Sequence, residues 1–273
     1  MKTVMLAAVL LLSLYCRSIE EPAADERFIV LGPSLVEIMF VTGLGSRIVA
    51  VDRYSEWPPI VQELPSVGGY VDPSLERISS LSPTSIHVSG NSPVLHELAE
   101  VLCIPCYSYR FDTLEDVFAV LDSLDMRYGA DAKKYKDELE MRLDSLQYLM
   151  GNTEPVSCMI VVYHERGSSS MTIAGRYTFF ADLLSSMNCE IAAPAAGAWP
   201  MISAEGVLEM APDHIICLYP GRTDTTAVII SENDFWVELG FQTSSVHCLF
   251  EPYIMIPGGR LINIAERICS CLL

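Results

Sequence analysis

Tyr70-Val71-Asp72-Pro73-Ser74-Leu75-Glu76 and Trp199-Pro200-Met201-Ile202-Ser203-Ala204-Glu205 share one pattern, 129 positions apart. The aromatic, the serine and the acid keep their spacing, and Pro83 and Ile86 recur at the same offset as Pro212 and Ile215. Each copy reads as an aromatic on an incoming loop, a serine at a helix start and an acid in the first turn. A proline then ends the helix before a buried strand. Five coincident positions mark a duplication, which predicts two equivalent structural units facing each other.

Outward from these copies, apolar runs alternate with amphipathic helical patterns. The periodicity predicts strands at Arg27 to Leu31, Arg47 to Asp52 and Ser85 to Val88, and helices at Pro33 to Thr42, Ser74 to Leu81 and Pro93 to Leu102. A further helical stripe through Leu114, Val117, Leu121, Leu124 and Tyr128 closes the first unit near Gly129. Strands follow at Cys158 to Tyr163, His214 to Leu218 and Val246 to Phe250, with a last helix from Arg260. Between the units, Tyr135, Leu139, Leu143, Leu146 and Met150 form the apolar stripe of a helix about 30 Å long. The expected fold class is α/β: two Rossmann-like α/β lobes, residues 27–129 and 152–273, joined by a single long α-helix at 130–151. A ligand cleft lies between them.

Composition narrows the functions. About half of the 273 residues are apolar (51%) and 19% are charged, which suits a packed globule rather than a disordered chain. The formal charge is −18 and no Lys/Arg cluster stands ready to neutralise phosphates, which argues against nucleic acid as a partner. Met1-Lys2-Thr3 followed by the apolar run Val4 to Tyr15 reads as an export signal over residues 1–16, too short to span a bilayer as a mature helix. Cys16 resembles the lipid-modified cysteine of bacterial lipoproteins. The other reading is an ordinary secretory signal cut nearby. The nine cysteines sit mostly in apolar runs and read as small buried hydrophobes. Cys103-Ile104-Pro105-Cys106 has redox or zinc spacing, but a helix ends there instead of beginning, and the five histidines are scattered singly.

For chemistry, Tyr70 and Trp199 stand at matching sites on opposite lobes, where two rings can clamp a flat apolar ligand. Their other reading is core sealing. Glu76 and Glu205 are either helix-dipole partners or functional carboxylates. An exported hydrolase is the remote alternative, from Gly167-Ser168-Ser169-Ser170 beside His164 and Glu165. The serines lack the Gly-x-Ser-x-Gly turn that such a nucleophile uses.

Ile29-Val30-Leu31-Gly32-Pro33-Ser34-Leu35-Val36-Glu37, Val51 to Pro59, Val67 to Ile78, Gly175 to Phe179, Trp199 to Glu205 and Arg260 to Ala265 together resemble the helical-backbone substrate-binding proteins of ABC importers for cobalamin, siderophores and haem. The resemblance implies no enzymatic activity and no cofactor, with cobalamin or a related corrinoid as transported ligand. Tyr54, Tyr70 and Trp199 match corrin-contacting positions of the cobalamin branch. Glu76 and Glu205 match the one glutamate per lobe that docks on permease arginines, so the implied partners are an ABC permease and its ATPase. The implied setting is the periplasm or the outer face of the cytoplasmic membrane, and the implied state a monomer. Val88-Ser89-Gly90-Asn91 supplies no tryptophan where the branch has one, and in Glu251 to Pro257 the branch's ligand-facing acid and arginine do not align. The family's disulfide is implied at Cys189 and Cys269. Were the cargo haem, Tyr70 and His164 are the implied axial ligands. Were it a ferric siderophore, Arg53, Arg110 and Arg166 are the nearby cations.

Overall fold

A computed structural model describes residues 26–151, 156–165 and 168–273, so the export-signal segment with Cys16, and Arg166, lie outside the described residues. Four parallel strands build the first sheet: β1 (Phe28–Leu31), β2 (Ile48–Val51), β3 (Ser85–Ser89) and β4 (Cys106–Tyr109), in the order β2-β1-β3-β4. Their crossovers carry α1 (Pro33–Val41), α2 (Leu75–Ser80) and α3 (Pro93–Leu102). Strands buried on both faces explain the near-continuous apolar runs at Phe28–Leu31 and Ser85–Val88, where Ile29, Val30, Ile86 and Val88 are fully buried.

The second sheet is mixed. It is built on the nine-residue β5 (Val156–His164), with β6 (Ser170–Ile173), β7 (Cys189–Ile191), β8 (Met201–Ser203), β9 (His214–Leu218) and β10 (Val246–Leu249). The order is β10-β9-β5-β6-β8. β9 and β10 run parallel to β5, β6 and β8 continue the sheet antiparallel, and β7 pairs with the first residues of β5. The sequence pattern does not announce β6, β7 and β8. They are three or four residues long and sit in Ser-, Ala- and Gly-rich stretches too short for a period-2 signal.

The remaining helices are α4 (Leu114–Tyr128), α5 (Ala132–Met150), α6 (Phe179–Ser186), α7 (Ala204–Met210), α8 (Thr225–Glu238) and α9 (Leu261–Leu272). The 19-residue α5 buries Leu139, Leu143 and Leu146 as its stripe predicts, but it is not a free-standing strut. It packs on α4 from the first half of the chain and on α6 and α9 from the second. One apolar core runs from Phe28 and Val30 through Leu121, Leu124 and Leu139 to Ile160, Ile216 and Ile268. Continuity of that core ties the lobes together.

The duplication extends to the backbone. Ser74 caps α2 by accepting from Arg77 N–H (3.4 Å), and Ser203 caps α7 by accepting from Gly206 N–H (3.3 Å). After each helix the chain turns through a left-handed residue, Ser82 (φ 46°) and Ala211 (φ 44°), immediately before Pro83 and Pro212. Ile86 and Ile215 are then fully buried in β3 and β9.

Candidate functional site

A cleft of about 390 Å³ opens where the carboxyl ends of β3 and β4 face the second sheet's loops. That is where parallel α/β sheets place their ligands, and the volume lies within the range of small-molecule sites. Ser89 ends β3 and Gly90 follows it, Tyr109 ends β4 with Arg110 and Phe111 after it, and Tyr70 arrives on the loop before α2. Phe179, Trp199, Met255 and Pro257 supply the other wall. Seven of the lining side chains are aromatic or apolar, so the cleft is suited to a flat, largely apolar body.

Each aromatic is held by local chemistry. Tyr70 donates its hydroxyl to the Asn91 carbonyl, and its ring packs on the Ile29, Ile86 and Leu95 cluster. Gly90 has φ 87°, and a Cβ there would come within 3.2 Å of the Tyr70 oxygen, so glycine is what lets the ring lie over the end of β3. Trp199 remains 42% exposed, with an edge-on contact to Phe180 at 6.4 Å and 86°. Its loop is anchored by Gly175 N–H donating to Ala198 O (2.7 Å) and Ile173 N–H donating to Pro200 O (3.0 Å). The wall from β4 is tied across the molecule, since Phe179 N–H donates to Asp112 O (2.6 Å) and Leu114 N–H to Asp182 Oδ2 (2.8 Å).

Tyr54 stands outside. The buried Asp52 carboxylate at the end of β2 accepts from Gly32 N–H, Tyr54 N–H (2.6 Å) and Ser55 Oγ (3.0 Å), which fixes the loop. The Tyr54 ring is 59% exposed beside Arg53 and does not line the cleft. Arg53 is paired with Asp72 (2.6 Å). Arg110 does line the wall, with Nη2 3.2 Å from Asp112.

His164 is corrected as a haem ligand. Its Nδ1 lies 3.3 Å from Glu232 Oε1 and its Nε2 3.3 Å from the Ser168 carbonyl, and its ring packs on Phe235. Both nitrogens are engaged away from the cleft. Nε2 therefore meets a main-chain carbonyl of the serine-rich loop and not a serine hydroxyl. Ser168 Oγ instead bonds Ser170 (3.0 Å to its Oγ), at the start of β6. Cys189 and Cys269 are both buried, burial pushes each thiol pKa up, and the neighbouring Cys269 adds to the rise at Cys189. Cys103 ends α3 in a left-handed conformation and Cys106 opens β4, both as free thiols.

Glu76 and Glu205 occupy the second helical position of α2 and α7, and both are exposed. A hydrogen bond from Ser203, aided by the helix-start N–H, holds the Glu205 carboxyl below the usual carboxylate range. Around them Val71, Met201 and Leu208 are exposed apolar side chains. Sequence reading missed Tyr109, Phe111, Phe179, Met255 and Pro257. Of these, Tyr109 and Phe111 carried a signal, their position at the carboxyl end of a parallel strand.

Comparison with known proteins gives concordant results. The family model described as "Periplasmic binding protein" matches residues 29–239. The chain is 27% identical over 260 residues to a vitamin B12-binding protein of Pectobacterium atrosepticum, covering 92% of this chain and 89% of that one. It is 28% identical over 272 residues to the vitamin B12-binding protein of Photorhabdus laumondii, covering 98% and 94%. Among solved structures, the periplasmic vitamin B12 binding protein BtuF of Vibrio cholerae superposes with TM-score 0.72 at 22% identity, covering 90% of this chain and 96% of that one. The periplasmic heme binding protein HutB of the same species superposes with TM-score 0.75 at 18% identity, covering 91% and 99%.

Proposed function

The chain belongs to the periplasmic binding protein family, and from that membership we propose that it captures cobalamin or a related corrinoid in the cleft between its lobes and delivers it to an ABC importer. The observation that carries the reading is the opposed aromatic pair: Tyr70 on the first lobe and Trp199 on the second line one cleft of small-molecule size. Phe111 and Phe179 extend the apolar wall. The names of the curated relatives agree with it. Tyr54, exposed on the neighbouring loop, contacts the part of a large ligand that projects beyond the cleft. The protein performs no chemistry on its cargo. It works outside the cytoplasm, held there by export and, where Cys16 is modified, by lipid.

Delivery is assigned to Glu76 and Glu205. Two carboxylates at equivalent places on the two copies, each bordered by exposed apolar side chains, present a duplicated surface to basic groups on a permease served by its ATPase. Charge pairs of this kind orient encounter more than they add affinity.

The test is an absorbance and calorimetric titration of the purified chain, lacking residues 1–16, with cyanocobalamin, haemin and a ferric siderophore in separate arms. Saturable one-to-one binding of cyanocobalamin alone is expected. A haemin Soret shift without cobalamin binding would overturn the corrinoid assignment and move the metal to a cleft phenol, since His164 is committed to Glu232.

A further inference from the structure

The segment after β10 does two things at once. Met255 and Pro257 line the cleft, and the next three residues, Gly258, Gly259 and Arg260, are seated against α1 of the opposite lobe. Arg260 donates from Nη2 (2.5 Å) and Nε (3.1 Å) to Glu37 Oε1, and its main-chain N–H donates to Oε2 (3.2 Å). Glu37 is 1% exposed, and burial pushes its carboxyl pKa up against the pull of the guanidinium. The same guanidinium stacks over Trp57 (5.1 Å) and Tyr253 (4.7 Å). Tyr135 on α5 donates its hydroxyl to Gly258 O (2.8 Å).

The fit leaves no room for side chains at the two glycines. A Cβ at Gly258 would stand 2.8 Å from Glu37 Oε2 and 3.0 Å from Ser34 O, and one at Gly259 would stand 2.9 Å from Glu37 O. Three elements, α1, α5 and the loop carrying Trp57, therefore close on one tripeptide. A buried ion pair is weak evidence for stability, because desolvation offsets the Coulombic gain. What a forked, doubly bonded pair provides is geometry. Neither Glu37 nor Arg260 lines the cleft, and the cleft wall ends one residue before the socket begins.

We propose that Glu37 and Arg260 are positioning residues for the ligand cleft: their pairing fixes the Met255–Pro257 wall relative to the Tyr70–Tyr109 wall and so sets how long the ligand stays bound. The inference rests on the cleft being the cargo site. The one charged side chain of residues 251–257, Glu251, is held by Arg267 and by Phe250 N–H, so the segment acts on the cleft by shape, and shape depends on where it is held.

The experiment compares the wild-type chain with Glu37→Gln, which keeps the volume and loses the charge, and Arg260→Lys, which keeps the charge and loses the fork. Amide hydrogen exchange is read in the ligand-free proteins, and cyanocobalamin dissociation by absorbance. The expected result is exchange in 251–260 faster by roughly tenfold with β1, β5 and β9 unchanged, and dissociation faster by about the same factor. If exchange rises uniformly across both sheets and dissociation keeps its wild-type rate, the pair is structural only and the proposal is overturned. Should Glu37→Gln fail to fold, Arg260→Lys decides alone. Should the wild-type chain not bind cyanocobalamin, the cargo reading falls. The exchange arm still judges the positioning claim, since localised release supports it and unchanged exchange at 251–257 sinks it.

Discussion

Trp199 shows how far one residue can be read. Its flanking Ala195-Ala196-Gly197-Ala198 placed it on a loop of small residues, and the structure gives it one edge-on aromatic neighbour and an exposed face toward Tyr70's wall. Replacing it with alanine removes little packing, so Trp199→Ala is expected to weaken cobalamin binding at least tenfold, about 1.4 kcal/mol, with a near-native melting temperature. Calorimetry and thermal denaturation check both halves. His164 teaches the converse. It stands at the end of β5 and looks like a ligand in one dimension, but Glu232, four residues before Trp236 on α8, takes its Nδ1. Hydrogen bonding to Glu232 raises the His164 pKa above 6.5. Burial pulls the Glu232 pKa up, and the bonds from His164, Tyr219 and Trp236 outweigh it, leaving the carboxyl below 4.5. The sign follows. The histidine's contribution is full below pH 6.5 and is lost as pH rises through its raised folded value, while the glutamate's is present above pH 4.5 and is lost as pH falls through its lowered one. Denaturant titrations should show this pair stabilising most between those values, and Glu232→Gln should flatten the decline above pH 6.5.

At the level of elements, the paired short helices α2 and α7 are defined by a serine cap, an acid in the first turn and a left-handed exit before proline. Ser74→Ala and Ser203→Ala should each cost about 1 kcal/mol, the usual loss of an N-cap acceptor, measured by denaturant unfolding. The exposed acids behave differently. Glu76→Arg with Glu205→Arg is expected to leave cobalamin affinity unchanged and to abolish uptake through the permease in a transport assay. Unimpaired transport by that double variant would remove the docking role. Strands β6 and β8 matter here as well, because Ala204 N–H donates to Ser169 O (2.8 Å) and so the edge of the second sheet sets where α7 begins.

For the molecule as a whole, one core shared by both lobes and the Glu37–Arg260 socket argue for a cleft that is largely preformed. Cyanocobalamin at a hundred times its dissociation constant should then add about 2.7 kcal/mol to unfolding stability, raising the melting temperature in a concentration-dependent way. The α/β alternation, the duplication and the long helix were legible in the sequence because each is written in local spacing: apolar periods, caps and breakers recur within a dozen residues. The same spacing put Tyr70 and Trp199 at equivalent places of the two copies, and both line the cleft. It did not distinguish Tyr54, which the loop held by Asp52 leaves outside the cleft, nor His164, whose partner lies 68 residues away. Nor did it reveal Phe179 and Met255 as walls, or Arg260 as the mate of Glu37 across 223 residues. Those assignments depend on which surfaces meet when two sheets and their helices pack, and packing brings together side chains that no local pattern relates. Sequence by itself determined what kinds of element this chain forms and in what order; tertiary structure alone decided which residues share the cleft, because that is settled by long-range contact and by the burial of charge.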